Sequence, residues 1–210
     1  MDADQPLLVL GTHNAKKGAE LADMLAADRV RVATLAEFDE AIEVVEDGDT
    51  FAANARLKAV QQAQHLGRWV LADDSGVEVD ALDGAPGIFS ARFASLGKAD
   101  ANADDADNNR VLLEKLAGVP LVKRGARYVC HVTLADPTGK VQAEAVDYCR
   151  GQILESPRGK GGFGYDPLFE IREYHRTFAE MGAAVKRALS HRSRAMRAIL
   201  PQIRQLLTAE

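Results

Sequence analysis

RWVLADDSGVEVDAL, residues 68–82, places two adjacent aspartates between two apolar runs that are typical of strands. Asp73 and Asp74 lie where one predicted strand, RWVLAD, leaves the core and before a second one, GVEVDAL. If the strand continues through the pair, the two side chains point to opposite faces of a sheet. Carboxylates suit a hard cation such as Mg²⁺, whereas a solvated turn explains the same letters without a ligand. This stretch alone leaves both interpretations open.

Strand-like and helix-like segments alternate on both sides of this stretch until a hairpin interrupts them. The predicted strands are 6–12 and 29–35, with a hairpin over 126–150; the predicted helices are 14–27, 49–67, 104–118 and 183–207; a turn with a short helix or irregular segment is predicted at 84–94, and a glycine-rich loop at 158–171 enters a last strand. Such an order predicts a mixed sheet in an α/β or α+β fold.

The composition is typical of a soluble globular protein. The chain of 210 residues suffices for a single domain over 1–210, with or without two lobes. The net charge of −5 disfavours long nucleic acid as a partner, because its phosphates favour an excess of Lys and Arg. No apolar run approaches the roughly 18 residues of a membrane span, and the start MDADQPLLVL lacks the basic segment of a signal peptide. Cys130 and Cys149 lie on different strands of the predicted hairpin with their thiols apart, so we expect reduced thiols and a cytoplasmic protein.

The stretch GTHNAKKGAE, residues 11–20, favours a helix start that binds an anion. A strand ends at Gly11, and a helix begins after Asn14, whose side chain can cap it. Lys16 and Lys17 then lie in the first turn, where positive charge opposes the helix dipole. An anion at that end would relieve the conflict, although two solvated lysines are the simpler alternative.

The stretch PRGKGGFGYDPLF, residues 157–169, has the composition of a base-binding loop. Its glycines let backbone N–H groups approach a ligand closely, and an aromatic ring such as Phe163 or Tyr165 can stack on a base. A glycine-rich turn above a core aromatic residue is the alternative.

The stretch VKRALSHRSRA, residues 185–195, adds basic groups in a predicted helix. Lys186, Ser190 and Arg194 fall on one helical stripe, and a solvated basic face is the alternative. Together, the four stretches supply basic groups for phosphates, acids for a metal and a loop for a base. That inventory is what cleavage of a nucleoside triphosphate requires.

Five blocks of the chain resemble, in order, those of the inosine triphosphate pyrophosphatase family. They read GTHNAKK, DTFAANARLKA, LADDSGVEVDALDGAPGIFSARFA, GGFGYDPLF and ALSHR, and the likeness extends from Leu7 to Leu207. The resemblance implies two α/β lobes around a long, curved mixed sheet with flanking helices, and an active-site cleft between the lobes. It also implies a homodimer that hydrolyses non-standard purine nucleoside triphosphates (ITP, dITP and XTP) to the monophosphate and pyrophosphate, with Mg²⁺, one or more ions per subunit.

The resemblance carries the family's functional residues onto the matching positions. The implied catalytic residues are Asp74, Lys17 and Lys58. The implied metal ligands are Asp74, Glu46 and Asp73. The implied substrate-binding residues are Thr12, His13, Asn14, Lys17, Ser75, Phe163, Gly164, Tyr165, Asp166, Lys186, His191 and Arg192. In this scheme Asp74 accepts the proton of the attacking water or positions the water through the metal, while the lysines neutralise phosphate charge.

The base edge gives a reason for selectivity. Hypoxanthine and xanthine carry an O6 acceptor beside an N1–H donor, whereas adenine carries an amino donor and a bare N1. A donor such as Arg192 or His191 at position 6 would reject adenine, because buried polar groups would be left unpaired.

Three positions depart from the family pattern. His13 stands where the family usually has Gly, Phe89 where it has Tyr, and Ala53 where its TFxEN block has Glu. The missing carboxylate motivates an alternative, a nucleotide-binding protein without turnover. A Maf-type nucleotide pyrophosphatase is the enzymatic alternative, which the GGFGYDPLF and SHR letters disfavour, and the net charge disfavours an RNA-binding module.

Overall fold

Seven strands and five helices make up the regular structure in the computed structural model, which describes residues 7–26, 30–97 and 102–208. The strands are β1 (Leu7–Leu10), β2 (Arg31–Thr34), β3 (Trp69–Val79), β4 (Gly125–Ala135), β5 (Val141–Ile153), β6 (Phe169–Ile171) and β7 (Arg176–Thr177). The helices are α1 (Ala15–Leu25), α2 (Phe51–Leu66), α3 (Asp105–Lys115), α4 (Phe178–Leu189) and α5 (His191–Thr208). Some predicted positions lie outside the described residues. They are the strand starts at Pro6 and Arg29, the helix end at Ala27, and the first six residues of the segment that was compared with a signal peptide.

The strands form a mixed sheet in the order β2-β1-β3-β4-β5-β6-β7. Strand β1 pairs in parallel with β2 and with β3, whereas β6 pairs antiparallel with β5 and with β7. The apolar runs of β1 and of the first half of β3 are buried almost throughout, as is usual for parallel strands covered on both faces. The predicted mixed α/β fold is confirmed.

Internal contacts divide the chain into two units. The first comprises the residues up to Asp74, Cys130–Asp147 and the residues from Ser193 onward; the second comprises Ser75–Val129 and Tyr148–Arg192. Aliphatic side chains of β1, α1 and α5 dominate the larger core of the first unit, while the core of the second combines aliphatic and aromatic side chains. Strands β3, β4 and β5 each contribute residues to both units. The single domain over 1–210 and the cleft between lobes stay predictions.

Strand β3 is continuous through the aspartate pair, which corrects the prediction of two strands on either side of it. Asp73 and Asp74 are only 1% and 7% exposed. Each carboxylate has a lysine partner, Lys17 for the first and Lys58 for the second, and such pairing compensates for removal from water. The strand therefore need not turn out to solvent, and its alternation sends the two side chains to opposite faces.

The helix caps follow the signals in the sequence. Asn14 Oδ1 accepts the N–H of Lys17 at 3.1 Å at the start of α1. Thr50 Oγ1 accepts the N–H of Ala53 at 3.1 Å at the start of α2. Gly67 ends α2 with a φ of 59°, in the left-handed region that favours glycine. These predicted boundaries are confirmed to within a residue or two.

The prediction of one helix over 183–207 is wrong. Helix α4 ends, Ser190 is extended with φ −66° and ψ 151°, and α5 begins at His191. Serine favours the position before a helix, because its side chain can bond the first backbone N–H groups. Lys186 and Arg194 consequently lie in different helices, and the predicted stripe that joined them through Ser190 does not form.

Three smaller predictions are also decided. Cys130 and Cys149 are both free and buried, so no disulfide joins them. The predicted turn and short helix at 84–94 is a 3₁₀ segment, Gly87–Ser95. None of the helices in the described ranges is long and apolar enough to cross a membrane.

Candidate functional site

Five charged side chains of the first unit form a set of ion pairs. They are Lys17, Glu46, Lys58, Asp73 and Asp74, and we call them the acid–lysine cluster. Lys58 Nζ lies 2.9 Å from Glu46 Oε2 and 3.1 Å from Asp74 Oδ1, and Lys17 Nζ lies 3.6 Å from Asp73 Oδ2. The structure thus pairs all the residues that the sequence predicted as catalytic or metal-binding, in two neighbouring groups: Lys17 with Asp73, and Lys58 with Glu46 and Asp74. With three carboxylates and two ammonium groups, the cluster has one carboxylate in excess.

Both carboxylate oxygens of Asp74 are held by side chains of α2. Lys58 Nζ donates to Oδ1 at 3.1 Å, and Asn54 Nδ2 donates to Oδ2 at 3.3 Å. The two donors are four residues apart, so they lie on one face of the helix. Asn54 Oδ1 also accepts the N–H of Gly48 at 2.8 Å. The same amide therefore fixes the carboxylate of Asp74 and the loop that carries Glu46.

Asp73 has different partners and a fully buried side chain. Its Oδ2 lies 3.6 Å from Lys17 Nζ and accepts a weak hydrogen bond from the Cys130 thiol at 3.7 Å. Lys17 consequently has a carboxylate partner within the protein, which weakens the argument that its charge requires an external anion. This geometry makes Asp73 a residue that orients Lys17, and its role as a metal ligand stays a prediction.

Burial has opposite effects on the acid and the base of this cluster. It raises the pKa of Asp74, against the opposing influence of the Lys58 and Lys17 charges. A carboxylate with a raised pKa is a stronger base. Burial lowers the pKa of Lys58, but attraction to Asp74, Glu46 and Asp73 outweighs it, so that pKa lies above its ordinary value. Lys58 therefore remains an ammonium group at neutral pH.

The donor set of the cluster fits the Mg²⁺ that the family resemblance implies. Glu46 and Asp74 approach the same ammonium group, Lys58 Nζ, so their oxygens converge where a cation is already stabilised. In the ranges that the structure describes, no set of three or more His, Cys, Asp or Glu side chains is arranged as a metal site. Mg²⁺ does not need one, because it commonly takes one or two carboxylates together with substrate phosphates.

The turn between β1 and α1 presents the predicted phosphate-binding residues. Thr12 Oγ1 accepts the N–H of Asn14 at 3.2 Å, and Asn14 in turn caps α1 at Lys17. His13 is exposed, and its ring Nε2 lies 3.3 Å from the carbonyl oxygen of Ile42. Two of these side chains therefore shape a helix start whose free N–H groups suit an anion. Phosphate binding by them stays a prediction.

The second unit brings an aromatic ring, a carboxylate and basic groups together. We call Phe163, Asp166, Lys186, His191 and Arg192 the aromatic–basic cluster. The centre of the Phe163 ring lies 4.3 Å from Lys186 Nζ and 5.8 Å from Arg192 Cζ, within cation–π range. Asp166 Oδ2 accepts hydrogen bonds from Lys186 Nζ at 2.7 Å and from the Phe163 N–H at 2.9 Å. Asp166, 2% exposed, thus organises the loop and one cation from inside the protein.

The two basic residues at the start of α5 are each fixed by a neighbour. His191 stacks in parallel on Tyr128, with ring centres 4.6 Å apart and planes 4° apart. Arg192 Nη2 donates to Ser75 Oγ at 2.9 Å. The predicted contact residues Ser75 and Arg192 therefore meet directly, and both basic side chains are held in one orientation.

Tyr165 supports the glycine-rich loop from the core. It is 3% exposed, and its hydroxyl donates to the carbonyl oxygen of Ser90 at 2.8 Å. Burial raises the pKa of Tyr165, so the phenol stays neutral. Gly164, the residue before it, has a φ of 61°, which glycine adopts without strain. Contact of either residue with a base stays a prediction.

Comparison with known proteins identifies the family of the chain. A sequence profile of the Ham1 family matches residues 8–202. The chain belongs to the Ham1 family. It is 54% identical to a dITP/XTP pyrophosphatase of Rhodopirellula baltica over 95% of this chain and 94% of that protein, and 46% identical to a dITP/XTP pyrophosphatase of Desulforamulus reducens over 95% and 96%. A solved HAM1 protein from Coxiella burnetii is 36% identical, with a TM-score of 0.82 over 97% of this chain and 98% of that one.

The Ham1 family is the inosine triphosphate pyrophosphatase family under another name, so this membership confirms the resemblance drawn from the five sequence blocks. It also disfavours the Maf-type alternative, since the matching relatives and structures are Ham1 or dITP/XTP pyrophosphatase proteins. The roles of individual residues remain predictions, because they rest on block positions and on the geometry of the two clusters.

Sequence analysis of this Ham1 protein missed Asn54 and Tyr128 as functional residues. Asn54 closes the TFAAN block four residues before Lys58, so it lies on the same helix face. A buried amide on that face requires a partner, and this signal could have identified it. Tyr128 gives no comparable signal, because an aromatic residue in an apolar strand predicts only a core position.

Proposed function

We propose that this chain hydrolyses ITP, dITP and XTP to the nucleoside monophosphate and pyrophosphate. Two curated relatives that are called dITP/XTP pyrophosphatase, at 54% and 46% identity over nearly their whole length, support it. The observation that carries the mechanism is Asp74, a buried carboxylate whose two oxygens are held by Lys58 and Asn54. Because both oxygens of this carboxylate are fixed by hydrogen bonds, it is oriented to accept a proton from one direction.

In this mechanism Asp74 is the proton acceptor. The oxygen of a water molecule forms a bond to the α-phosphorus, the bond from that phosphorus to the bridging oxygen breaks, and pyrophosphate leaves while the proton of the water passes to Asp74. Lys17 and Lys58 neutralise the charge on the phosphate oxygens. Glu46 and Asp74 would hold Mg²⁺, which would supply further charge neutralisation at the phosphates.

The aromatic–basic cluster recognises the purine in this proposal. The ring of Phe163 offers a face on which a base can stack. Arg192 and Lys186 offer N–H donors to the O6 acceptor of hypoxanthine or xanthine. Adenine presents an amino donor at that place, so donor would face donor without an acceptor between them.

The proposal includes a cytoplasmic homodimer. Two buried, free cysteines suit a reducing compartment, and the family resemblance suggests the dimer. Light scattering behind size exclusion should give twice the chain mass of 22.7 kDa. A mass equal to one chain would contradict the dimer and leave the catalytic proposal intact.

A nucleotide-binding protein without turnover is the second candidate, and Ala53 is the observation that favours it. The structure places Ala53 third in α2, with its N–H bonded to Thr50 Oγ1 at 3.1 Å. A glutamate at this position completes a capping box by accepting the N–H of the threonine. Helix capping therefore explains the family's carboxylate without a catalytic role, and the turnover proposal does not depend on it.

Release of pyrophosphate and of orthophosphate from ITP, XTP, GTP and ATP, with Mg²⁺ and with EDTA, tests the proposal. We expect metal-dependent pyrophosphate from ITP and XTP. Binding of ITP without release would favour the second candidate. Orthophosphate as the first product would contradict attack at the α-phosphorus.

A further inference from the structure

Helix α3 holds the glycine-rich loop at a single residue. The N–H of Gly164 donates to Asp105 Oδ2 at 2.8 Å, and Asn109 Nδ2 donates to the carbonyl oxygen of Gly164 at 2.9 Å. Asn109 Nδ2 also donates to the carbonyl oxygen of Asp105 at 2.7 Å. Asp105 and Asn109 are four residues apart and lie on one helix face. Both backbone hydrogen-bonding groups of Gly164 therefore end on α3.

Helix capping does not account for the Asp105 side chain. The cap position of α3 is Asp104, and the cap side chain makes no cap hydrogen bond. An acid in the first turn is favourable beside the helix dipole, but Asp107, which is exposed on the same turn, satisfies that preference as well. The direction of the Asp105 carboxylate toward Gly164 is a separate feature.

Apolar packing does not fill the space between α3 and the loop. A pocket of about 590 Å³ that is open to solvent lies there. Its apolar lining includes Ala106, Leu113, Pro157, Pro167 and Leu168. Side chains do not fill this open pocket, so packing constrains this side of the loop weakly. The hydrogen bonds at Gly164 consequently carry a large share of its positioning.

A shift of Gly164 would move its neighbour in the aromatic–basic cluster. Phe163 precedes Gly164 directly, and its ring lies 4.3 Å from Lys186 Nζ. We propose that Asp105 and Asn109 are positioning residues that act through Gly164 to fix the Phe163 ring for purine recognition. The proposal rests on the proposed function and adds to it two residues outside the five matching blocks.

Variants of α3 test the role. Asn109→Ala and Asp105→Ala should each raise KM for ITP about five- to tenfold and leave kcat within about twofold, because the loop binds the base and not the phosphates. The preference for ITP over ATP should fall by a similar factor. Asp105→Asn retains an acceptor oxygen for Gly164 and should restore most of the affinity. Asp107→Asn, which removes only an exposed partner of Arg110, is the matched control and should keep wild-type KM.

Two measurements separate the positioning role from the proposed reaction. Hydrogen exchange at the Gly164 amide, followed by NMR without nucleotide, should be faster in Asp105→Ala than in Asp105→Asn; equal rates would overturn the proposal. The Kd for inosine monophosphate, from calorimetry, should rise in Asn109→Ala whether or not the wild type turns over. If the wild type cleaves no triphosphate, the proposed function fails, while these two results still support the positioning role. Variants with a lower melting temperature but unchanged KM, Kd and selectivity would overturn it in favour of a purely structural role.

Discussion

The acid–lysine cluster and the aromatic–basic cluster each contain a largely buried lysine beside a buried aspartate. Lys58 lies 3.1 Å from Asp74, and Lys186 lies 2.7 Å from Asp166. The first pair has further carboxylates around it and the second has Arg192, so the surplus charge is negative in one cluster and positive in the other. Surplus carboxylate suits a divalent cation and the phosphates it accompanies, whereas surplus N–H donors suit the carbonyl of a base. A buried ion pair alone says little about function, and the charge left over beside it says more.

The largest effect should come from breaking the acid–lysine cluster at Asp74. Asp74→Asn keeps the shape but removes the proton acceptor, so kcat for ITP should fall about a thousandfold. The protein should stay folded with a lower melting temperature, because asparagine can still accept from Lys58 through its oxygen, while its NH2 group then faces the Asn54 donor and the ion pair is lost. Pyrophosphate release and thermal denaturation check both statements. Asp49→Asn, an exposed acid just before α2, is the control, and near-normal turnover of Asp74→Asn would remove that residue from the mechanism.

Lys58→Met sharpens the comparison by removing the cation that two carboxylates share. We expect kcat/KM to fall about a hundredfold, since one stabiliser of phosphate charge is lost. We also expect Mg²⁺ to raise the melting temperature more than in the wild type, because Glu46 and Asp74 then lack their ammonium partner. Thermal denaturation with and without Mg²⁺ measures this, with exposed Lys140→Met as the control. A Mg²⁺ response no larger than that of the wild type would argue against these two acids as the ligand pair.

Arg192→Lys tests the other cluster without changing its charge. The planar fork that reaches Ser75 is lost, and lysine does not replace it. KM for ITP should rise about tenfold while kcat changes less, since an interaction with the bound base is lost, and discrimination against ATP should weaken. Steady-state kinetics with both nucleotides decide it, beside exposed Arg187→Lys. A fall in kcat alone would place Arg192 at the phosphates instead.

The smallest effect should come from the N-terminal cap of α2, which belongs to neither the acid–lysine cluster nor the aromatic–basic cluster. Ala53→Glu should complete the capping box with Thr50 and raise the free energy of unfolding by about 0.5–1 kcal/mol. Turnover should not change. Urea denaturation checks stability, and Ala52→Glu separates capping from a simple gain of charge near the helix start. A large rise in kcat for Ala53→Glu would instead show that the missing carboxylate matters to catalysis.

Sequence signals within a few residues predicted the helices and strands whose bounds depend on local interactions. The predictions failed where the structure depends on features that the local sequence does not show. The bounds of α2 follow from Thr50 and Gly67, whose chemistry acts within one helical turn. The continuity of β3 was not predictable from its own letters, because the lysines that neutralise its aspartates come from other segments. Ser190 illustrates the same limit, since a helical period across it looks unbroken until the backbone is seen to be extended there.

The candidate site shows the same division between residues that the sequence predicts and contacts that only the structure reveals. The sequence and its family resemblance named Lys58 and Asp74, or Phe163 and Lys186, without showing that they touch, and the structure joins them. Asn54 could have been found from its helical spacing to Lys58. Asp105 and Asn109 could not, because their partner is a backbone group in a loop more than fifty residues later, and backbone groups leave no pattern in a sequence.

The hold of α2 on Asp74 has a practical consequence for engineering. Asn54 and Lys58 are four residues apart, about 6 Å along the helix axis, and each donates a hydrogen bond to one oxygen of the same carboxylate. The direction of the reactive lone pairs is thus tied to the pitch of a helix and not to a loop. The solvent-facing residues of α2 could be substituted for immobilisation or heat tolerance without loss of the chemistry, provided that no glycine or proline is introduced between Asn54 and Lys58.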